Sequence, residues 1–208
     1  MNLILTILAV FALLVGSELW FRRHRPHGEF SRKFIHIVAG SFAASWPFYL
    51  PWSAIIFMSL SFVVVVLISK YFDVFRAIHT VERPTWGEVY FALAVGALAY
   101  ITHEPWIYAA ALLHMSLADG LAAVIGVTYG RAQSYTVFGH QKSLAGTLTF
   151  FIVSVAILSL YHIYGAAIGI GIIISLAVAT TFIENIGVRG LDNLLVPLVI
   201  GVVLTRVA

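Results

Sequence analysis

The chain has 208 residues, of which 61% are hydrophobic and 10% charged, with a formal net charge of +3. A soluble domain is usually about 45–50% apolar and about 25% charged, so this balance excludes one and implies an integral membrane protein. With no cysteine, disulfides, thiolate metal sites and cysteine nucleophiles are excluded too, and spans of about 20 apolar residues each leave no room in this length for a soluble catalytic domain.

Apolar runs between polar breaks predict eight helices, at roughly 2–21, 33–47, 52–70, 86–102, 106–128, 144–163, 166–183 and 193–207. The expected fold class is all-α, a single polytopic domain over residues 1–208 with about eight (seven to nine) transmembrane helices. The first run has no positive charge ahead of it and Arg22 behind it, so it reads as a retained anchor and not as a cleaved signal peptide. Lys and Arg alternate from loop to loop as 5, 0, 3, 0, 2, 0, 1, and only Arg206 breaks the pattern. By the positive-inside rule, eleven of the twelve positive charges face the cytoplasm and both termini lie outside. After the third run, Tyr71, Phe72, Phe75 and Ile78 share one helical face across residues 71–80, which predicts a short amphipathic helix in the membrane interface.

The polar residues worth naming gather on the cytoplasmic side. Arg32, Lys33 and His36 stand at the start of the second helix, where His36 could bind phosphate, move a proton, or serve only as an interfacial histidine. Asp119 follows the apolar run 106–118 and cannot readily reach water. Ionisable residues inside a span are usually functional, so Asp119 is a candidate metal ligand or proton acceptor; the alternative is a structural carboxylate paired with a neighbouring helix. Gly126 and Gly130 repeat at four-residue spacing, with Ala122 one turn earlier. Small residues so spaced let helices approach closely, or admit a phosphate chain. Lys142, Ser143, Gly146 and Thr147 open the sixth helix. Lys binds phosphate as a point charge and helix N-termini attract anions, although Ser143 could equally be a cap beside a snorkelling lysine. Glu184, Asp192 and Asn193 supply hard oxygen atoms near the same interface. They suit Mg²⁺, which takes one or two carboxylates together with substrate phosphates, while Asp192 could also be a helix cap. The remaining histidines, including His24, His27, His79 and His114, have no zinc-ligand spacing.

Three separated motifs carry a resemblance. Asp119-x-x-Ala122-x-x-x-Gly126-x-x-x-Gly130, followed by Lys142-Ser143-x-x-Gly146-Thr147, resembles the CTP-binding signature of the dolichol kinases, phytol kinases and CTP-dependent diacylglycerol kinases. Arg32-Lys33-x-x-His36 and Glu184-x(5)-Gly190-x-Asp192-Asn193-x-x-x-Pro197 are similar to two further elements of that group, so the likeness spans residues 31–200. Gln141, Ser143 and Ala145 stand where the pattern has Lys, Thr and Glu. The resemblance implies a lipid-alcohol kinase with CTP, or else ATP, as phosphoryl donor and Mg²⁺ as cofactor. It further implies a membrane lipid alcohol as partner and no nucleic acid. On this reading Asp119, Lys142 and His36 are the catalytic candidates. Arg32, Lys33, Gly126, Gly130, Ser143, Gly146 and Thr147 bind nucleotide and phosphate, and Asp119, Glu184, Asp192 and Asn193 bind metal. A cytidylyltransferase acting on a lipid phosphate and a small transporter are the rival expectations. The crowding of polar groups at one interface, with no internal repeat, speaks against transport.

Overall fold

Among the described residues of the computed structural model, which are 2–24, 28–72 and 86–208, eight long helices form. They are α1 (Asn2–His24), α2 (Gly28–Ala44), α3 (Trp52–Phe72), α4 (Gly87–Ile101), α5 (Pro105–Tyr129), α6 (Leu144–Tyr164), α7 (Ile170–Ile186) and α8 (Asp192–Val207). Every predicted apolar run becomes a helix, and α1, α3, α5 and α6 are long and apolar enough to cross a membrane. Proline sets several starts. Pro105 occupies the first turn of α5, where its missing N–H leaves no donor unsatisfied, and Pro47 sits in the short 3₁₀ turn Trp46–Phe48. The amphipathic helix expected at 71–80 falls mostly outside the described residues, with only Tyr71 and Phe72 inside, at the end of α3.

Two boundaries move in ways that matter. α2 begins at Gly28, so Lys33 and His36 lie in its second and third turns and not at its start. α7 continues to Ile186, which puts Glu184 within its last turn. The loop after α5 also contains an unpredicted hairpin, β1 (Ser134–Val137) paired antiparallel with β2 (His140–Ser143). Its two turn residues, Phe138 and Gly139, both have positive φ (46° and 79°), the sense that matches strand twist in a two-residue turn. The register sets Tyr135 opposite Lys142 and Ser134 opposite Ser143.

α5 is the central post: 56% of its most apolar stretch is buried, against 17% for α1, which lies at the edge against α2. α2, α6 and α8 pack around α5, α3 pairs with α4, and α7 bridges α6 and α8. Consecutive alanines, Ala109 to Ala111, let neighbours close on its first half. Aromatic rings collect at that end, with Trp106 against Phe48 and Tyr164, and Trp52 against His103 and Tyr108. Such rings favour the membrane–water boundary, so they mark one face of the bundle.

Candidate functional site

The opposite end brings together the start of α2, the hairpin, the start of α6, the end of α7 and the start of α8. Two lysine–carboxylate pairs hold it. Lys33 Nζ donates to Asp119 Oδ2 at 2.5 Å, joining α2 to α5 across 86 residues of sequence. Lys142 Nζ donates to Glu184 Oε1 at 2.5 Å and to the Glu184 backbone oxygen at 2.9 Å, joining β2 to α7. Asp119 and Glu184 are both buried. The charges of Asp119, Glu184 and Asp192 act on one another, and Lys33 and Lys142 both act on Asp119 and Asp192. Burial works against the charge on Lys142, but the adjoining Glu184 carboxylate outweighs it and lifts its pKa above the ordinary lysine value. Lys142 therefore carries its charge throughout the neutral range.

The small-residue stripe explains how Lys142 reaches this cluster. A β-carbon on Gly146 would lie 2.9 Å from the Ala122 carbonyl oxygen and 3.4 Å from Gly126 Cα; one on Gly130 would collide with the Ser143 side chain. Ala122, Gly126 and Gly130 thus form the seam where the start of α6 lies directly on α5. Ser143 and Gly146 fill the room beside these glycines, which let α6 pack closely on α5. Ser143 caps α6 by accepting from the Gly146 N–H at 3.1 Å.

The other site expectations distribute as follows. His36 Nε2 lies 2.9 Å from the Met115 carbonyl oxygen and 3.7 Å from Asp119 Oδ2. A carbonyl only accepts, so this nitrogen carries the hydrogen. Arg32 is on α2 beside Lys33, and its side chain is outside the described set. Asn193 donates its amide to the Gly87 carbonyl at 3.1 Å, clasping α8 to α4, so only its side-chain oxygen remains for a cation. Pro197, one helical turn later, has no N–H and leaves the Asn193 backbone carbonyl without its usual helical donor.

Three features were not anticipated. Residues His114–Ala118 of α5 form a π-helical turn immediately before Asp119, and such turns are frequent at functional sites; composition carries no signal for it. Tyr135 hydrogen-bonds Thr147 and Asn185, and Thr147 Oγ1 also donates to Asn185 Oδ1 at 3.1 Å. Tyr135 and Lys142, opposite each other in the hairpin, are thereby tied to adjacent residues of α7. The signal was present in the alternation Tyr135, Val137 before a Gly-containing turn. Glu18, buried in α1, is the third; its place within an apolar span could have flagged it.

Among the described residues, no three His, Asp or Glu side chains stand close enough to ligate one ion. The chemistry the cluster offers is that of two ammonium groups and three carboxylates at the rim of an apolar bundle, suited to a polyanion that brings its own cation ligands.

The chain is similar to the phytol kinase of Synechocystis sp., with 31% identity across 90% of this chain and 83% of that protein. No family model and no solved structure matches it.

Proposed function

The chain belongs to the phytol kinase family, and from that premise we propose that it transfers the γ-phosphoryl group of CTP, or of ATP, to the hydroxyl of a membrane lipid alcohol. The alcohol is of the phytol, polyprenol or diacylglycerol class. The observation that carries this reading is the convergence of Lys33–Asp119 and Lys142–Glu184 at one end of an otherwise apolar bundle.

The hydroxyl oxygen attacks the γ-phosphorus, the bond to the β-phosphate oxygen breaks, and a nucleoside diphosphate leaves. Such transfer depends on positioning and charge neutralisation more than on covalent help. Lys142 leaves Glu184 for the phosphates, aided by Ser143 and the N-terminal end of α6. Lys33, with Arg32 beside it, closes the clamp. Asp119 has one oxygen engaged by Lys33 and takes the hydroxyl proton on its other. Asp192, with Glu184 and the Asn193 oxygen in reserve, would hold a divalent ion such as Mg²⁺, which supplies charge neutralisation on the phosphates when bound. All eight helices span the membrane on this reading, with the site on the cytoplasmic side and both termini outside, in keeping with the distribution of Lys and Arg.

The test is incubation of the purified protein with CTP or ATP labelled at the γ-phosphate and a panel of lipid alcohols. Label in a lipid monophosphate supports the proposal and names both substrates. Release of pyrophosphate from CTP would overturn it in favour of nucleotidyl transfer, and no nucleotide consumption at all would overturn the enzyme reading.

A further inference from the structure

α2 meets the irregular turn of α5 along one stripe. Lys33, His36, Ile37 and Gly40 recur at helical spacing and lie against Asp119, Met115, Gly120 and Ser116 respectively. A β-carbon on Gly40 would collide with Ser116 Cβ, so only glycine allows α2 this near.

The turn beneath that stripe has a backbone consequence. The Asp119 N–H bonds the His114 carbonyl, five residues back, and shares its hydrogen with the Ser116 carbonyl, three back. Once regular four-residue bonding resumes, the carbonyl stepped over is that of Met115. Inside an apolar bundle such an oxygen needs a donor, and His36 Nε2 supplies it at 2.9 Å. The turn also aims Asp119. Five residues of regular α-helix would carry its side chain about 140° beyond a full turn from His114, whereas the wider π turn carries it less far round. The turn closes on Asp119 itself, so it sets the register at which Asp119 meets Lys33 on α2.

The geometry points to His36 as a positioning residue, which stabilises the π turn by capping the Met115 carbonyl, thereby keeps Asp119 aimed into the site, and takes no proton in the transfer. This rests on Asp119 serving the reaction as proposed above.

The test compares His36→Gln, His36→Asn and His36→Ala in detergent for kcat, nucleotide KM and pH profile, with a chromatographic check of folding. The Gln amide nitrogen reaches where imidazole Nε2 does, and the shorter Asn does not. H36Q should keep kcat within about fivefold of wild type, while H36N and H36A lose about a hundredfold, since misplacing a reacting group by about an ångström has that effect. Nucleotide KM should stay within about threefold throughout, as the phosphate ligands are untouched. The H36Q and wild-type pH profiles should overlay between about pH 6 and 8, where a histidine proton carrier would titrate. A folded H36Q as inactive as H36A, or one that loses a pH limb present in wild type, would make His36 a proton carrier and overturn the inference; so would an H36A of wild-type kcat. If H36Q does not fold, Gly40→Ala asks the same question with the imidazole intact. It should lift α2 from Ser116 and lower kcat without raising KM, and wild-type kcat there overturns the inference equally. Retained activity in Asp119→Asn would instead sink the functional reading itself, whatever the His36 variants do.

Discussion

Lys142 and Glu184 combine a structural and a chemical role in one pair, and substitution can separate them. In Lys142→Met, the Glu184 carboxylate, 8% exposed, loses its partner at 2.5 Å and is left buried either as an unpaired charge or with the cost of taking up a proton. Stranding one member of a buried pair destabilises by about 3–5 kcal/mol. Lys142 is 20% exposed, so solvent screens part of the interaction and about 2–3 kcal/mol is expected. For a chain of this size that lowers the melting temperature in detergent by about 4–12 °C. Adding Glu184→Gln removes the stranded charge, and neutral groups of similar shape in place of a buried pair are often close to neutral in stability; the double variant should melt within about 3 °C of wild type. Phosphoryl transfer should not return. An ammonium group aimed at developing phosphate charge contributes about a hundredfold to a thousandfold in rate, and neither variant has it. Melting followed by tryptophan fluorescence, beside label transfer to the lipid, reads both quantities on one sample. A double variant that regained activity with its stability would refute Lys142 as the phosphate ligand. A single variant with unchanged melting would refute the pair as a buried link.

Asp119→Asn should lower kcat by at least about a thousandfold while the protein still runs as a folded species on size exclusion; turnover within tenfold of wild type would be incompatible with its role. Gly130→Ala places a β-carbon against Ser143 and the Gly126 carbonyl, overpacking worth about 1–3 kcal/mol. It should push β2 away from α5 and raise nucleotide KM more than it lowers kcat, and an unchanged KM with unchanged melting would count against the seam. Tyr135→Phe removes the hydroxyl shared with Thr147 and Asn185, at about 0.5–1.5 kcal/mol per hydrogen bond. Nucleotide KM should rise about threefold to tenfold, and Asn185→Ala should add little in that background; additive losses would mean the two residues act separately.

The sequence made the helices legible because apolar helices are read from one property, and α1 to α8 follow the apolar runs closely. It made the polar cluster legible for the same reason, since charges are few and each one stands out. The pairing of those charges was not legible: Lys33 finds Asp119 across 86 positions, a choice made by how α2 lies on α5. Nor was the π turn, which depends on a backbone carbonyl being satisfied from another helix. Gly126 and Gly130 were read two ways, as a close seam or a phosphate cradle, and the position of Ser143 against them shows the seam. The hairpin was hidden by length. Two strands of four residues are too short to rise above loop composition, although Phe138 and Gly139 carry the turn.

Keeping every lysine of the cluster beside a carboxylate has a physical reason that bears on the proposed reaction. A lone ammonium or carboxylate at the rim of a bilayer is costly, so the groups that will meet a polyanion must balance one another beforehand. Lys33 with Asp119 and Lys142 with Glu184 do so, while Asp192 adds a third carboxyl group on which the charges of both lysines act. In these pairs each ammonium group is already matched by a carboxylate, so a nucleotide must compete with Asp119 and Glu184 for the lysines. On the proposed reading the two lysines therefore contribute little net attraction until they exchange carboxylate for phosphate. That exchange frees carboxylate oxygens at the moment the phosphates enter, which couples nucleotide binding to divalent-ion binding. The expected consequence is steep: in the presence of a chelator the nucleotide should bind at least about tenfold more weakly, and Asp192→Asn, which removes a proposed metal ligand, should reduce that dependence. Equal nucleotide affinity with and without chelator would show that the lysine–carboxylate pairs do not part on binding.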